Sequence, residues 1–226
     1  MPVDSTATAE VTAFRWVPDF AQGLVRDLRI RWALEEIERP YRVRLLDATS
    51  ARPPEYFLEQ PFGQVPAYRD EQVHLFESGA ILIHLGMQDE RLLPTDHGQR
   101  MRAIAWLIAA LNSVEPAIFP MQMINVFNRG EAWTEEAKPK FMDRLNGRLK
   151  CMSDALGDKE WLEDRFTIAD LMLVAVLRQL RGGRTLEAYP NLAAHVVRGE
   201  ARPAFQRALA DQLAVFAENS PEPQPA

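Results

Sequence analysis

Residues 61–66 read Pro-Phe-Gly-Gln-Val-Pro, and one short alternating stretch later the chain reads Glu77-Ser78-Gly79-Ala80-Ile81. Between them, Val65–Arg69 and Val73–Phe76 alternate as strands do and are separated only by Asp70-Glu71-Gln72. So short a connection requires a hairpin and an antiparallel pair. Proline has no amide hydrogen, so Pro66 fits only a ladder position with no bond to make. A cis Pro66 in a turn before the strand would present the Val65 N–H and C=O outward, to an extended peptide. Ser78 opens a helix whose hydroxyl and first amides can hold a carboxylate, and Glu77 supplies the opposite charge for an ammonium group. The set suits a small peptide carrying both an α-amino and an α-carboxylate end. Spacing alone equally allows Pro66 merely to begin a strand and Ser78 merely to cap a helix.

On the amino-terminal side, 11–16 reads as a strand ended by Pro18, 23–38 as a helix closed by Pro40, and 41–46 as a second strand. Strand, helix, strand within so few residues predicts a βαβ unit with a parallel pair. A short helical piece at 55–59 and the helix after Ser78 complete an α/β unit with a mixed four-stranded sheet. Beyond Pro94 only helical spacing recurs, over 99–127, 134–156, 167–180, 191–198 and 203–216. Pro116 and Pro120 should bend or break the first of these. The expected organisation is therefore an α/β domain at 11–90 and an all-α domain at 98–216, with flexible termini at 1–10 and 217–226, of which 220–226 is a Pro-rich, disordered tail.

The formal charge of −6 argues against a nucleic-acid partner, because phosphate binding needs a clustered basic surface. A single cysteine, Cys151, rules out an intrachain disulfide and fits a reducing compartment. It reads as a small apolar filler on its helix. The four histidines show no metal-ligand spacing, so no metal is expected. No signal peptide is visible at the start, and the longest apolar run, Ala103–Leu111, falls short of a membrane span. A cytoplasmic protein with no membrane partner is the expectation.

The stretch Pro61–Pro66 followed one hairpin later by Glu77–Ile81 resembles the glutathione-binding half of the cytosolic glutathione transferases. Trp32-Ala33-Leu34-Glu35-Glu36 with Pro40-Tyr41 is similar to that family's first helix and second strand. Trp161-Leu162 with Phe166-Thr167-Ile168-Ala169-Asp170 is similar to the start of the central helix of its second domain. The resemblance covers roughly residues 11–215. It implies a thioredoxin-like first domain, glutathione as co-substrate, a small hydrophobic electrophile or peroxide as second substrate, and a homodimer. It further implies that Val65 pairs its backbone with the cysteinyl part of glutathione beside a cis Pro66. Glu77 and Ser78 would hold the γ-glutamyl end, with Gln64 assisting. Thr167 and Asp170 also carry a local meaning, since Thr-x-x-Asp can close a helix start as a capping box.

The expected catalytic position is where the chain departs from that pattern. Family members usually place Ser, Cys or Tyr between the first strand and the first turn of the first helix. Here Trp16 to Asp27 contains no hydroxyl and no thiol. A free thiol is only a few per cent ionised at neutral pH. A helix amino end stabilises an anion by up to ~2 kcal/mol, or ~1.5 pKa units at about 1.36 kcal/mol each. A cation adds to that, which makes Arg26 a candidate activating residue, with Gln22 as a neutral donor; a solvated helix arginine is the plainer reading of Arg26. The expected function is glutathione transfer. The alternatives are a non-catalytic binding or adaptor protein and, with no cysteine in the window, a glutathione-dependent thiol-disulfide oxidoreductase.

Overall fold

A computed structural model describes residues 2–221. The chain divides into two compact units, one running to Leu92 and resuming at Ala201, the other spanning Leu93–Glu200. In the first unit β1 (Glu10–Phe14), β2 (Arg42–Leu46), β3 (Ala67–Arg69) and β4 (His74–Phe76) form one sheet in the order β2-β1-β3-β4. β1 and β2 are parallel; β3 runs antiparallel to both β1 and β4. The first helix, α1, spans Asp27–Glu36, a turn later than periodicity suggested. The backbone enters it through tight turns and Gly23, whose φ is +73°, a value glycine adopts without cost.

β1 is central, and its residues 10–13 are buried on both faces. One of those residues, Glu10, is charged. Burial works against its charge, but Arg42, Arg69 and Arg44 outweigh burial and hold the carboxyl below its ordinary range. Residues 2–9, expected to be flexible, are tied into the unit: Val3 pairs with Tyr41, and the Tyr41 N–H donates to the Pro2 carbonyl at 2.7 Å. Backbone pairing needs no side-chain signature, which is why composition missed it. The proposed disordered tail lies mostly outside the described residues.

The last helix also belongs here. Numbered in chain order it is α8, Pro203–Glu218, and sequence periodicity had grouped it with the all-α domain. It packs along α1 through Phe205, whose ring meets Trp32 edge-on at 4.9 Å. Arg202 forks onto Glu36 at 2.6 and 2.8 Å, and Arg207 donates to Glu35 at 2.7 Å. Deeper in, Gln212 and Arg31 both donate to buried Asp27.

The second unit is helical: α3 (His97–Ala109), α4 (Glu115–Gln122), α5 (Ala132–Leu156), α6 (Ile168–Leu177) and α7 (Pro190–Glu200); α2 belongs to the first unit and is described below. α3 and α4 are one continuous helical run to Phe127. Pro116 and Pro120 do not break it: a wide π turn at Ala110–Val114 leads into Pro116 at the start of α4, Pro120 sits inside α4, and a second π turn follows at Met123–Phe127. That 31-residue run is far longer than the apolar stretch read from sequence; an 18-residue window within it has a mean hydropathy of 1.4, and 44% of that window is buried inside the protein, as in a core helix. Buried α6 forms the unit's centre, and its start is closed by the expected capping box. The Thr167 hydroxyl accepts from the Ala169 N–H at 3.2 Å, and Asp170 accepts from the Thr167 N–H at 2.9 Å. Cys151 is exposed rather than a filler, because it falls out of phase with the buried Leu145, Leu149, Met152 and Leu156 of α5.

Candidate functional site

The register of the hairpin brings the two halves of the motif together. Ala67 pairs with Phe76, so in an antiparallel ladder Pro66 stands opposite Glu77, and Val65 lies beside the start of α2 (Ser78–Gln88). The Val65–Pro66 bond is cis. Neither the N–H nor the C=O of Val65 takes a hydrogen-bond partner among the described residues. A backbone edge left unmade beside a sheet is what an extended peptide pairs with.

The loop before it is held from behind. Buried Gln60 accepts from the N–H groups of Phe62 and Gln64, at 2.7 and 3.2 Å. Arg52 Nε donates to the Gly63 carbonyl at 2.9 Å. Gly63 has φ +64°, a backbone position that favours glycine, and a Cβ there would crowd the Phe57 ring at 3.1 Å. The Tyr56 hydroxyl donates to the Gln64 carbonyl at 2.6 Å and meets Thr12 Oγ1 at 2.9 Å, and that oxygen accepts the Ala67 N–H at 2.7 Å. Burial pushes the Tyr56 phenol up. It is a brace, with its proton committed to the loop.

α2 begins without a side-chain cap. Its cap residue, Glu77, sits at φ +68°, ψ +114°, a backbone position that costs a non-glycine residue on the order of 1–3 kcal/mol and that clusters at ligand clamps. The Glu77 side chain is exposed, while Ser78 is buried. Arg29, buried on α1, donates from Nη1 to Ser78 Oγ at 3.2 Å. A helix start with uncapped amides, a serine and a guanidinium behind it is an anion site.

The sequence reading missed Arg29, and with it Gln60, Tyr56 and Thr12. Arg29 and Ser78 are far apart in the chain, and nothing local in an arginine-rich helix marks which guanidinium turns inward. The structure thus collects Gln64, Val65, Pro66, Glu77 and Ser78 at one place. The two candidate activating residues are arranged differently. The Gln22 amide donates into its own turn, to the Val17 carbonyl at 3.2 Å and to Asp19 at 3.1 Å. Arg26 is exposed at the cap position of α1, three residues before Arg29 and so on the same face of the helix. Among the described residues no group of three His, Cys, Asp or Glu side chains is placed to hold a metal ion.

Comparison with known proteins agrees with this layout. Residues 21–86 match the family model for the glutathione S-transferase N-terminal domain, and residues 121–212 match a model for its C-terminal domain. A glutathione S-transferase of Escherichia coli is 33% identical over 161 residues, covering 69% of this chain and 77% of that one. A glutathione S-transferase-like protein of Aspergillus fumigatus is 27% identical over 213 residues, 85% of this chain and 94% of its own. Among solved structures, a Burkholderia graminis glutathione transferase holding two glutathione molecules per subunit matches with TM-score 0.77 at 24% identity, over 96% of this chain and 89% of that one. A poplar glutathione transferase matches with TM-score 0.78 at 21% identity, over 92% and 99%. The chain belongs to the glutathione S-transferase family.

Proposed function

We propose that this protein is a working glutathione transferase that directs the glutathione thiolate at a small hydrophobic electrophile or a peroxide. In this reading the cysteinyl backbone of glutathione pairs with the N–H and C=O of Val65 beside Pro66. The γ-glutamyl carboxylate sits on Ser78 and the first amides of α2 with Arg29 behind them, and Glu77 takes the ammonium, with Gln64 at the side. Arg26, exposed at the cap position of α1 on the Arg29 side, is the residue assigned to stabilise the thiolate, with Gln22 as a neutral donor. The observation carrying the reading is the unpaired Val65 backbone set across the ladder from an uncapped helix start.

The test is calorimetry at millimolar glutathione, followed by turnover of a chloronitrobenzene and of cumene hydroperoxide. Saturable uptake, turnover of at least one acceptor, and a lower kcat in Arg26→Gln are expected. Absence of uptake by the folded protein would sink the proposal. Uptake without turnover of any acceptor would favour the second reading, a non-catalytic glutathione-binding adaptor, which the missing hydroxyl in Trp16–Asp27 motivates. A thiol-disulfide oxidoreductase has no cysteine in that window to work with.

The proposed setting is the cytoplasm, to be checked by fractionation, and the proposed assembly a homodimer. In support of the latter, Leu58 is 89% and Phe62 68% exposed, and Phe62 stacks edge-on against half-exposed Phe76 at 6.3 Å. An exposed apolar cluster of this kind marks a contact surface. Sedimentation should show a dimer that Phe62→Ser shifts towards monomer; a dimer indifferent to that change would place the contact elsewhere.

A further inference from the structure

The segment Trp16–Asp27, from which Arg26 is assigned to act, is pinned at both ends by the last helix. Within itself it is a series of tight turns, the Ala21 N–H donating to the Pro18 carbonyl at 2.8 Å and the Leu24 N–H to the Ala21 carbonyl at 3.0 Å. Such turns shape a loop but do not place it. Its far end, the start of α1, has no side-chain cap, and Arg26 stands at the cap position itself. Asp27, the first helical residue, is wholly buried and accepts from Gln212 Nε2 at 2.8 Å and from Arg31 Nε at 2.7 Å. Gln212 Nε2 also donates to the Val25 carbonyl at 3.5 Å. One amide of α8 therefore bridges the two residues that flank Arg26. At the near end Arg15, the residue before the segment, donates from Nη1 to Asn219 Oδ1 at 3.1 Å, where α8 ends.

Gln212 is itself buried, and its Oε1 has no hydrogen-bond partner among the described residues. A buried amide oxygen left unmade costs stability, which an apolar side chain of similar volume avoids. α8 gains its hold on α1 elsewhere: Phe205 meets Trp32, and Arg202 and Arg207 reach Glu36 and Glu35 at the opposite end of α1. What the amide adds is its nitrogen at residues 25 and 27. Burial pushes the Asp27 carboxyl up, and Arg31 and then Gln212 pull against it. With one donor gone the buried carboxyl is left short of a bond, and the segment beside it is what can move to relieve it.

We propose that Gln212 is a positioning residue for the thiolate: by bridging Val25 and Asp27 it fixes the backbone that carries Arg26. This role rests on Arg26 acting as assigned above, and it makes the activating segment complete only once α8 is in place. Buried Gln212 acts through that backbone and not on the thiol. Stabilisation of a charge depends steeply on placement, and a shift of about 1 Å caused far from the chemistry can cost on the order of a hundredfold in rate.

Gln212→Met keeps the volume and removes the donor. Glutathione Kd should stay within about twofold, because Val65 and Ser78 are untouched, while kcat falls about three- to tenfold. The thiol pKa of bound glutathione, read from thiolate absorbance in the ultraviolet, should rise by up to about one unit, the equivalent of tenfold. Exchange of amides 19–27 with deuterium, measured without glutathione, should quicken. Arg207→Met, which loosens the other end of the same packing, should lower stability with kcat, thiol pKa and that exchange unmoved. Circular dichroism confirms folding; if Gln212→Met does not fold, Asn219→Ala carries the same readouts, with kcat lower by about twofold. Unchanged thiol pKa and exchange in whichever of these two variants folds, or equal shifts in Arg207→Met, overturn the proposal. Absence of glutathione uptake or turnover by the unaltered protein is a different result: it removes the transferase reading, and the role of Gln212 with it.

Discussion

Two helix starts in this chain are built to opposite ends. At α6 the amides of Ala169, Asp170 and Leu171 all have protein partners at Thr167. Thr167 and Asp170 cap each other, and Asp170 also takes the Leu162 N–H at 2.8 Å, all out of contact with solvent. At α2 the cap residue offers no side-chain bond, its backbone is held at a positive φ, and the nearest cation arrives from another helix. The first arrangement stabilises the fold. The second leaves bonds unmade at a cost to the fold, and such a cost persists where a ligand makes those bonds instead. Comparing the two separates residues that fix the structure from residues that hold something in it.

The widest separation should come from Asp170→Ala, which orphans buried amides of Leu162 and Thr167. A loss of about 3 kcal/mol in urea unfolding is expected, with glutathione affinity of the folded fraction unchanged. A stability loss under about 1 kcal/mol would mean that the closed cap contributes little, and the contrast would fail.

His195 tests the same region by pH. It is fully buried, its Nε2 3.7 Å from Asp170 Oδ1; burial foremost, opposed by the Glu160 carbonyl and aided by the charge of Arg198, lowers its pKa to about 4. Because the folded value lies below the ordinary 6.5, the stability it contributes is complete above pH 6.5 and is lost as pH falls towards 4. Burial raises the Asp170 carboxyl to about 6, so its titration runs the other way and offsets part of this in the unaltered protein. Relative to His195→Phe, the unaltered protein should therefore lose up to about 3 kcal/mol between pH 6.5 and 4. Parallel stability curves for the two would show that His195 carries no such linkage.

At the open start the effects should fall on binding. Ser78→Ala should raise the glutathione Kd by about ten- to a hundredfold, equivalent to about 1.5–3 kcal/mol for a bond to a charged group, while the unfolding midpoint hardly moves. An unchanged Kd would mean that Ser78 is only a helix residue. The smallest effect is also the most discriminating. Glu77→Gly relieves the positive-φ backbone and should stabilise the fold by about 1 kcal/mol while weakening glutathione uptake. A variant both less stable and equally tight would contradict the assignment of strain to ligand holding.

How far the sequence revealed these features follows from the range of the interactions behind them. The hairpin, the parallel β1–β2 pair and the capping box rest on neighbours in the chain and were legible from alternation and spacing. The motif from Gln64 to Ser78 was legible because one short hairpin folds it on itself. Arg29, Tyr56 and Thr12 were not, since each acts across a long loop and only packing brings it into place. Cys151 was misjudged on residue type, when the phase of α5 decides exposure. The allegiance of α8 was hidden for a further reason: an amphipathic pattern reports that one face will be buried and says nothing of which unit will cover it.

That last helix has a consequence for how the molecule comes into being. Since α8 covers the Trp32 face of α1 and supplies Arg202, Arg207 and Gln212 to its polar lattice, the sheet unit is interrupted by the whole of the helical one. During synthesis, the strands can pair early, yet their covering helix waits on the final stretch of chain to leave the ribosome. Until then the helical unit is the only one of the two whose parts have all been made, although its first residue follows most of the sheet unit in the order of translation.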